Sequence, residues 1–135
     1  MNPAGLVTRS SLYSFDETRE RLIGSIASHG LTLFAQIDHS AAAIAIGLVL
    51  RPTMVVIFGN PTAGTLLMQS AQSIGIDLPL KALIWQDAAG ATWLSHDDLG
   101  WVAERHGLNA DGNATIAAMI LGLAVVVEQA TGKAK

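Results

Sequence analysis

The 135-residue chain falls within the size of one domain and is large enough to bury a core of its own. Half its residues are hydrophobic (50%) and only 14% are charged, against roughly 25% in an average globular protein. The net charge of −3 and a scattered set of eight basic residues exclude the cation cluster that nucleic acid requires, and the absence of cysteine excludes disulfides, thiol catalysis and thiolate metal sites.

Residues 5–11 read as a first strand. Ser14-Phe15-Asp16-Glu17 then matches a capping box, with Ser14 as N-cap and Glu17 at N3, so a helix starts there. Phe15, Leu22, Ile23 and Ile26 recur at helical spacing until His29-Gly30 ends the run. Residues 31–38 form a second strand, and residues 40–47 suit a short small-residue helix capped by Asp38 or Ser40. Arg51-Pro52 breaks the chain before residues 53–58, a compact β-branched run that looks like an interior strand. Residues 59–65 read as a turn from that strand into an amphipathic segment over 66–74, closed by residues 75–79. Residues 81–86 and 91–95, joined by Asp87-Ala88-Ala89-Gly90, suit a hairpin with Trp85 and Trp93 paired across it. A short helix from Asp97 to His106 and a Gly/Asn-rich link lead to a long C-terminal helix.

That last helix has no charge over residues 114–127, yet these 14 residues fall short of the roughly 20 needed to span a bilayer, so it reads as buried rather than membrane-spanning. Ile116, Met119, Ile120, Leu123 and Val127 form one apolar stripe, and Ala118, Leu121 and Val125 form a second on another side; one suits a core and the other a partner. The pattern predicts a single α+β domain over residues 1–135. Two layers are expected: a mixed sheet of about five strands packed by helices, with an apolar C-terminal helix at about 114–131. So few surface charges leave apolar patches exposed, which predicts a homo-oligomer, in the first instance a two-fold dimer. The first residues lack a positive segment followed by an apolar one, so the cytoplasm is the expected compartment, with no membrane partner.

Three segments carry a resemblance: GLVLRPT at 47–53, IFGNPTAGTLLMQSA at 57–71 and IGIDLPLKALIWQD at 74–87. Together they resemble the bacterial family known as domain of unknown function 302, over about residues 14–108. The matching features are Asp38-His39 before a small-residue helix, Arg51-Pro52-Thr53, Phe58-Gly59-Asn60-Pro61, Gly64-Thr65, Asp77-Leu78-Pro79, the Trp85 strand and Arg105-His106-Gly107, in that order. Relatives tend to carry a more ordinary amphipathic C-terminal helix, so the uncharged stretch here departs from the pattern. The resemblance implies a compact α/β domain, often dimeric, and carries over no substrate, cofactor or catalytic residue.

Asp38-His39 at a strand end is the leading candidate for chemistry, because strand ends in open α/β sheets edge ligand crevices and histidine titrates near neutral pH. The structural alternative is that Asp38 caps the next helix and His39 bonds a backbone carbonyl. The turn with Gly59, Asn60, Thr62, Gly64 and Thr65 offers backbone N–H groups to an anion at a helix N-terminus, or else closes a tight connection in which Asn60 and Thr62 satisfy local groups. It is not a phosphate-binding P-loop, since no Lys follows Gly64 and Pro61 removes a donor. His96, Asp97 and Asp98 with His39 and Asp38 have metal-ligand chemistry, but Asp97 and Asp98 more simply cap the helix that follows, and no metal or cofactor is assigned. The expected function is a dimeric domain binding a polar or anionic metabolite near Asp38, His39, Gly59, Asn60, Thr62, Gly64, Thr65 and Asp77. Two alternatives stand beside it: an enzyme using His39 as general acid or base next to Asp38 or Asp77, and an assembly module without a ligand site.

Overall fold

Each of the five α-helices among the described residues, 3–132 of this computed structural model, begins at a side-chain cap. Ser14 accepts from Glu17 N at the head of α1 (Phe15–Ser28), and Asp38 accepts from Ala41 N at α2 (His39–Ala45). Asn60 accepts from Thr62 N and Ala63 N at α3 (Pro61–Ser70), Asp98 from Gly100 N and Trp101 N at α4 (Leu99–Arg105), and Asn113 from Ile116 N at α5 (Ala114–Thr131). Such caps fix helix starts because they satisfy N–H groups that have no partner within the helix, each contributing about 1 kcal/mol.

The five strands are β1 (Leu6–Ser10), β2 (Thr32–Asp38), β3 (Thr53–Gly59), β4 (Leu80–Gln86) and β5 (Thr92–Asp97), and they lie in the order β1-β5-β4-β3-β2. Every pairing is antiparallel, which corrects the mixed sheet expected. The reason is topological: α1 carries the chain from one edge of the sheet to the other, so β1 and β2 never become parallel neighbours, and β2 to β5 return as a meander. Trp85 and Trp93 face each other across the hairpin with ring centroids 6.0 Å apart.

Alternation along the strands decides where the core lies. Met54, Val56 and Phe58 of β3, Ala82 and Ile84 of β4 and Leu94 of β5 are buried together with Leu22 and Ile26 of α1 and Leu123, Val126, Val127 and Ala130 of α5. The intervening residues Val55, Leu83, Trp85 and Trp93 are only half-buried, so one face of the sheet is packed by α1 and α5 and the other is partly open. A second core joins Leu67 of α3, Ile74, Val102 and Ala103 of α4 and Ile116 of α5, and Met119 and Ile120 pack against both cores.

Helix α5 has 18 residues and is long and apolar enough to cross a membrane by length and composition, four residues beyond its uncharged stretch. Its Leu123, Val126, Val127 and Ala130 nevertheless pack in the sheet core. The second stripe, Ala118, Leu121 and Val125, is turned to solvent.

A candidate ligand cleft beside the third helix

Helix α3 starts earlier than its sequence implied. Asn60 caps, Pro61 takes the N1 position, where a missing N–H costs nothing, and Gly64 and Thr65 therefore lie inside the helix instead of in a loop. This disposes of the expected anion cradle. The N–H groups of Thr62 and Ala63 donate to Asn60 Oδ1 at 2.9 and 3.3 Å, that of Gly64 donates to the Asn60 carbonyl at 2.9 Å, and Pro61 has none. Thr65 Oγ1 is likewise turned inward, donating to the Pro61 carbonyl at 2.7 Å.

What the turn builds instead is one wall of a cleft of about 250 Å³. Gly59, Asn60, Gly64, Thr65 and Met68 line it from the end of β3 and from α3, Gly75, Leu78 and Pro79 from the segment that follows, and Phe34 and Met119 from β2 and α5. Phe34 reaches the cleft through a bulge: the β2–β3 register shifts between Leu33 and Ala35, and an extra residue in one strand re-aims its side chain. Three of the lining residues are glycines. A Cβ at Gly59 would meet Pro79 Cβ at 3.6 Å and one at Gly64 would meet Leu78 Cδ1 at 3.8 Å, ordinary contact distances, so neither glycine relieves a clash. The lining is mainly apolar, and its polar handle is Asn60, whose amide nitrogen makes no hydrogen bond among the described residues while its oxygen caps the helix.

Other predicted site residues lie elsewhere. Asp38 pairs with Met54, five residues from Gly59 along β3, which puts it about 17 Å from Gly59, and it lies four residues, about 13 Å, from Phe34 along β2. Its Oδ1 accepts from Ala41 N at 2.9 Å and from Ser40 Oγ at 2.7 Å. Those bonds, the backbone one first, hold its carboxyl below the ordinary value. His39 is exposed and makes no side-chain hydrogen bond among the described residues. Thr62 lines a separate groove between α3 and α5, not the cleft. His96 Nδ1 lies 2.8 Å from the Asp97 carbonyl, Asp97 ends β5, Asp98 caps α4, and no group of three metal-ligating side chains gathers among the described residues.

Asp77 is drawn into a cluster the sequence did not announce. Its carboxylate oxygens accept from Arg105 at 3.0 and 3.1 Å, and Oδ2 lies 2.5 Å from His106 Nε2. The other ring nitrogen, Nδ1, is 2.8 Å from Ser73 Oγ. Ser73 and Asp77 share the short 3₁₀ helix Gln72–Asp77, which follows α3, and His106 caps the end of α4. The sequence placed Asp38 or Asp77 beside His39; about 30 residues separate His106 from both Ser73 and Asp77, and spacing alone does not reveal that they meet.

The family profile described as "Domain of unknown function DUF302" matches residues 7–128. The chain belongs to this family. The match extends past residues 14–108 at both ends and takes in most of α5. The DUF302 fold is also seen in the "Crystal structure of uncharacterized conserved protein DUF302 from Bacillus stearothermophilus", at a TM-score of 0.82 and 19% identity, covering 95% of this chain and 99% of that one. Two similar proteins, from Brucella suis biovar 1 (strain 1330) and Brucella abortus biovar 1 (strain 9-941), bear the name "Fluoride-specific ion channel FluC 1". Each is 44% identical over 129 residues, 96% of this DUF302 chain but only 51% and 48% of theirs. The chain spans about half the length of the curated relatives it matches.

Proposed function

We propose that this chain is a ligand-binding domain whose site is the cleft between α3 and the 3₁₀ helix. The observation that carries this reading is the trio of glycines on its walls, two of which leave open a methyl's worth of space that no steric contact requires. A glycine inside a helix costs about 1 kcal/mol relative to alanine, and at Gly64 the volume kept free accounts for it. With a volume of about 250 Å³, just below the usual 300–1,000 Å³ of ligand pockets, the cleft suits a small molecule. Its walls favour a mainly apolar ligand with one acceptor for the Asn60 amide, rather than an anion. Benzyl alcohol is a suitable probe. Titrated into ¹⁵N-labelled protein, it is expected to shift the Gly59, Gly64 and Gly75 amides saturably, and Gly64→Leu is expected to abolish the effect. Shifts that do not saturate, or that survive Gly64→Leu, refute the cleft as the site.

The same reading includes a two-fold homodimer. The support is the run Ile44, Ile46, Leu48 and Val49, the last 97% exposed, together with the outward stripe of α5.

A second reading rests on the identity to half of the two channel proteins: the domain serves a membrane channel as an accessory part. This chain is a sheet domain whose membrane-length helix, one among the described residues, packs in the core, so this reading assigns conduction to the half of those relatives that it does not match. This chain alone in fluoride-loaded liposomes is expected to give no efflux at a fluoride electrode, whereas deleting the matching half of the Brucella suis protein is expected to alter its efflux. Unaltered efflux in that deletion counts against an accessory role.

A further inference from the structure

We infer that Ser73, His106 and Asp77 form a nucleophilic relay able to take an acyl or phosphoryl group from a small activated ester. The inference does not depend on the cleft reading, since none of the three side chains lines the cleft.

Three observations carry it. The order of contacts is that of an activated serine: hydroxyl to imidazole nitrogen at 2.8 Å, and the opposite imidazole nitrogen to carboxylate at 2.5 Å. The acceptor role of one ring nitrogen is fixed by what the other touches. With Asp77 able only to accept when ionised, Nε2 carries the hydrogen and Nδ1 is left free to take the serine proton. Burial is graded in the useful direction, because the imidazole is 7% exposed and the carboxylate 16%, while Ser73 is open to solvent. Arg105 adds two contacts to the Asp77 carboxylate and fixes its orientation toward the ring.

The chemistry balances without a cofactor. Ser73 Oγ attacks the carbonyl carbon of an ester as its proton passes to His106 Nδ1. The carbon–oxygen bond to the leaving alcohol then breaks, and the alcohol departs with that proton. Water repeats the sequence in reverse on the acyl-serine, releasing a carboxylic acid and restoring the hydroxyl. Asp77 stays ionised throughout and stabilises the imidazolium that forms. Catalysis of this kind is recognised by geometry and roles, and a short clasp between two helices becomes a relay only when the hydroxyl end is reachable from solvent, as it is here.

Diisopropyl fluorophosphate tests this directly, since attack by Ser73 forms an oxygen–phosphorus bond, expels fluoride and leaves a stable adduct that peptide mass mapping locates. The expected result is a single adduct on Ser73, absent in Ser73→Ala and present at the full rate in Ser70→Ala, whose hydroxyl only bonds the Leu66 carbonyl. His106→Gln is expected to slow labelling by about a hundredfold, the contribution of a general base. No adduct on the wild-type protein, or one that persists in Ser73→Ala, overturns the proposal. Ser73 is exposed, so that variant folds and the test stands even if His106→Gln does not.

Discussion

Replacing Gly64 with alanine separates stability from binding. The residue lies inside α3 with the helix capped by Asn60, and an added Cβ stands 3.8 Å from Leu78 Cδ1 and 4.0 Å from Met68 Cε. No clash opposes it. Relieving the backbone entropy of a helical glycine stabilises by roughly 0.5–1 kcal/mol, and burying part of a methyl adds a fraction of the about 0.8 kcal/mol that full burial brings. A gain of about 1 kcal/mol corresponds to a melting temperature higher by about 3–5 °C for a chain of this size. The same methyl occupies cleft volume, and overpacking a site by one such group costs about 1–3 kcal/mol, so benzyl alcohol is expected to bind about fivefold more weakly or worse. Differential scanning calorimetry and the amide titration read the two effects, which run in opposite directions. A lower melting temperature refutes the open space beside Gly64, and unchanged affinity refutes the cleft as the binding site.

His39→Ala removes an exposed ring without a hydrogen bond among the described residues, so stability is expected to change by no more than about 0.5 kcal/mol; a melting temperature several degrees lower indicates a buried partner for the ring. Asp38 is held below its ordinary value of 3.8 by the Ala41 N–H and then the Ser40 hydroxyl. A depressed carboxyl contributes stability that is present above the ordinary value and lost as pH falls through the folded one, so α2 amides are expected to show lower protection, measured against the intrinsic exchange rate at each pH, at pH 2 than at pH 5, with Asp38→Asn flattening that dependence. Equal pH dependence in Asp38→Asn removes the cap as its cause. Leu121→Glu places a charge in the outward stripe of α5, where Leu121 is 70% exposed, and is expected to halve the mass seen by light scattering if that stripe meets a second copy; an unchanged oligomer mass rejects this interface.

Legibility in this chain follows the range over which a signal acts. The cap at Ser14 and the Trp85–Trp93 pair are local or nearly so, and residue type is enough to find them. The start of α3 is local too, yet Gly64 looks like a breaker when it is an interior helical residue, because an Asn cap followed by Pro at N1 outweighs one glycine. The sheet's direction is not local. Strand–helix–strand spacing usually signals a parallel crossover; here β2 at the far edge never neighbours β1, and β2 to β5 return as an antiparallel meander.

The site residues divide along the same line. Asp38, Asn60 and Asp98 stand out in a sequence because short polar side chains at strand ends resemble ligands, and all three have an oxygen engaged by backbone N–H groups. Residue type cannot separate the two roles, since the property that makes a carboxylate or amide a good ligand also makes it a good cap. Ser73 looks unremarkable by contrast, a serine within an amphipathic segment, and His106 stands out only as part of the matched Arg105-His106-Gly107 at a helix end. They meet only because Ile74 of the 3₁₀ helix and Val102 and Ala103 of α4 share one apolar cluster, which docks the two segments. The matched segments that hold Asp77 and His106 do not show that they meet; core packing sets that convergence. The polar groups free to do chemistry are therefore those the apolar pattern brings together.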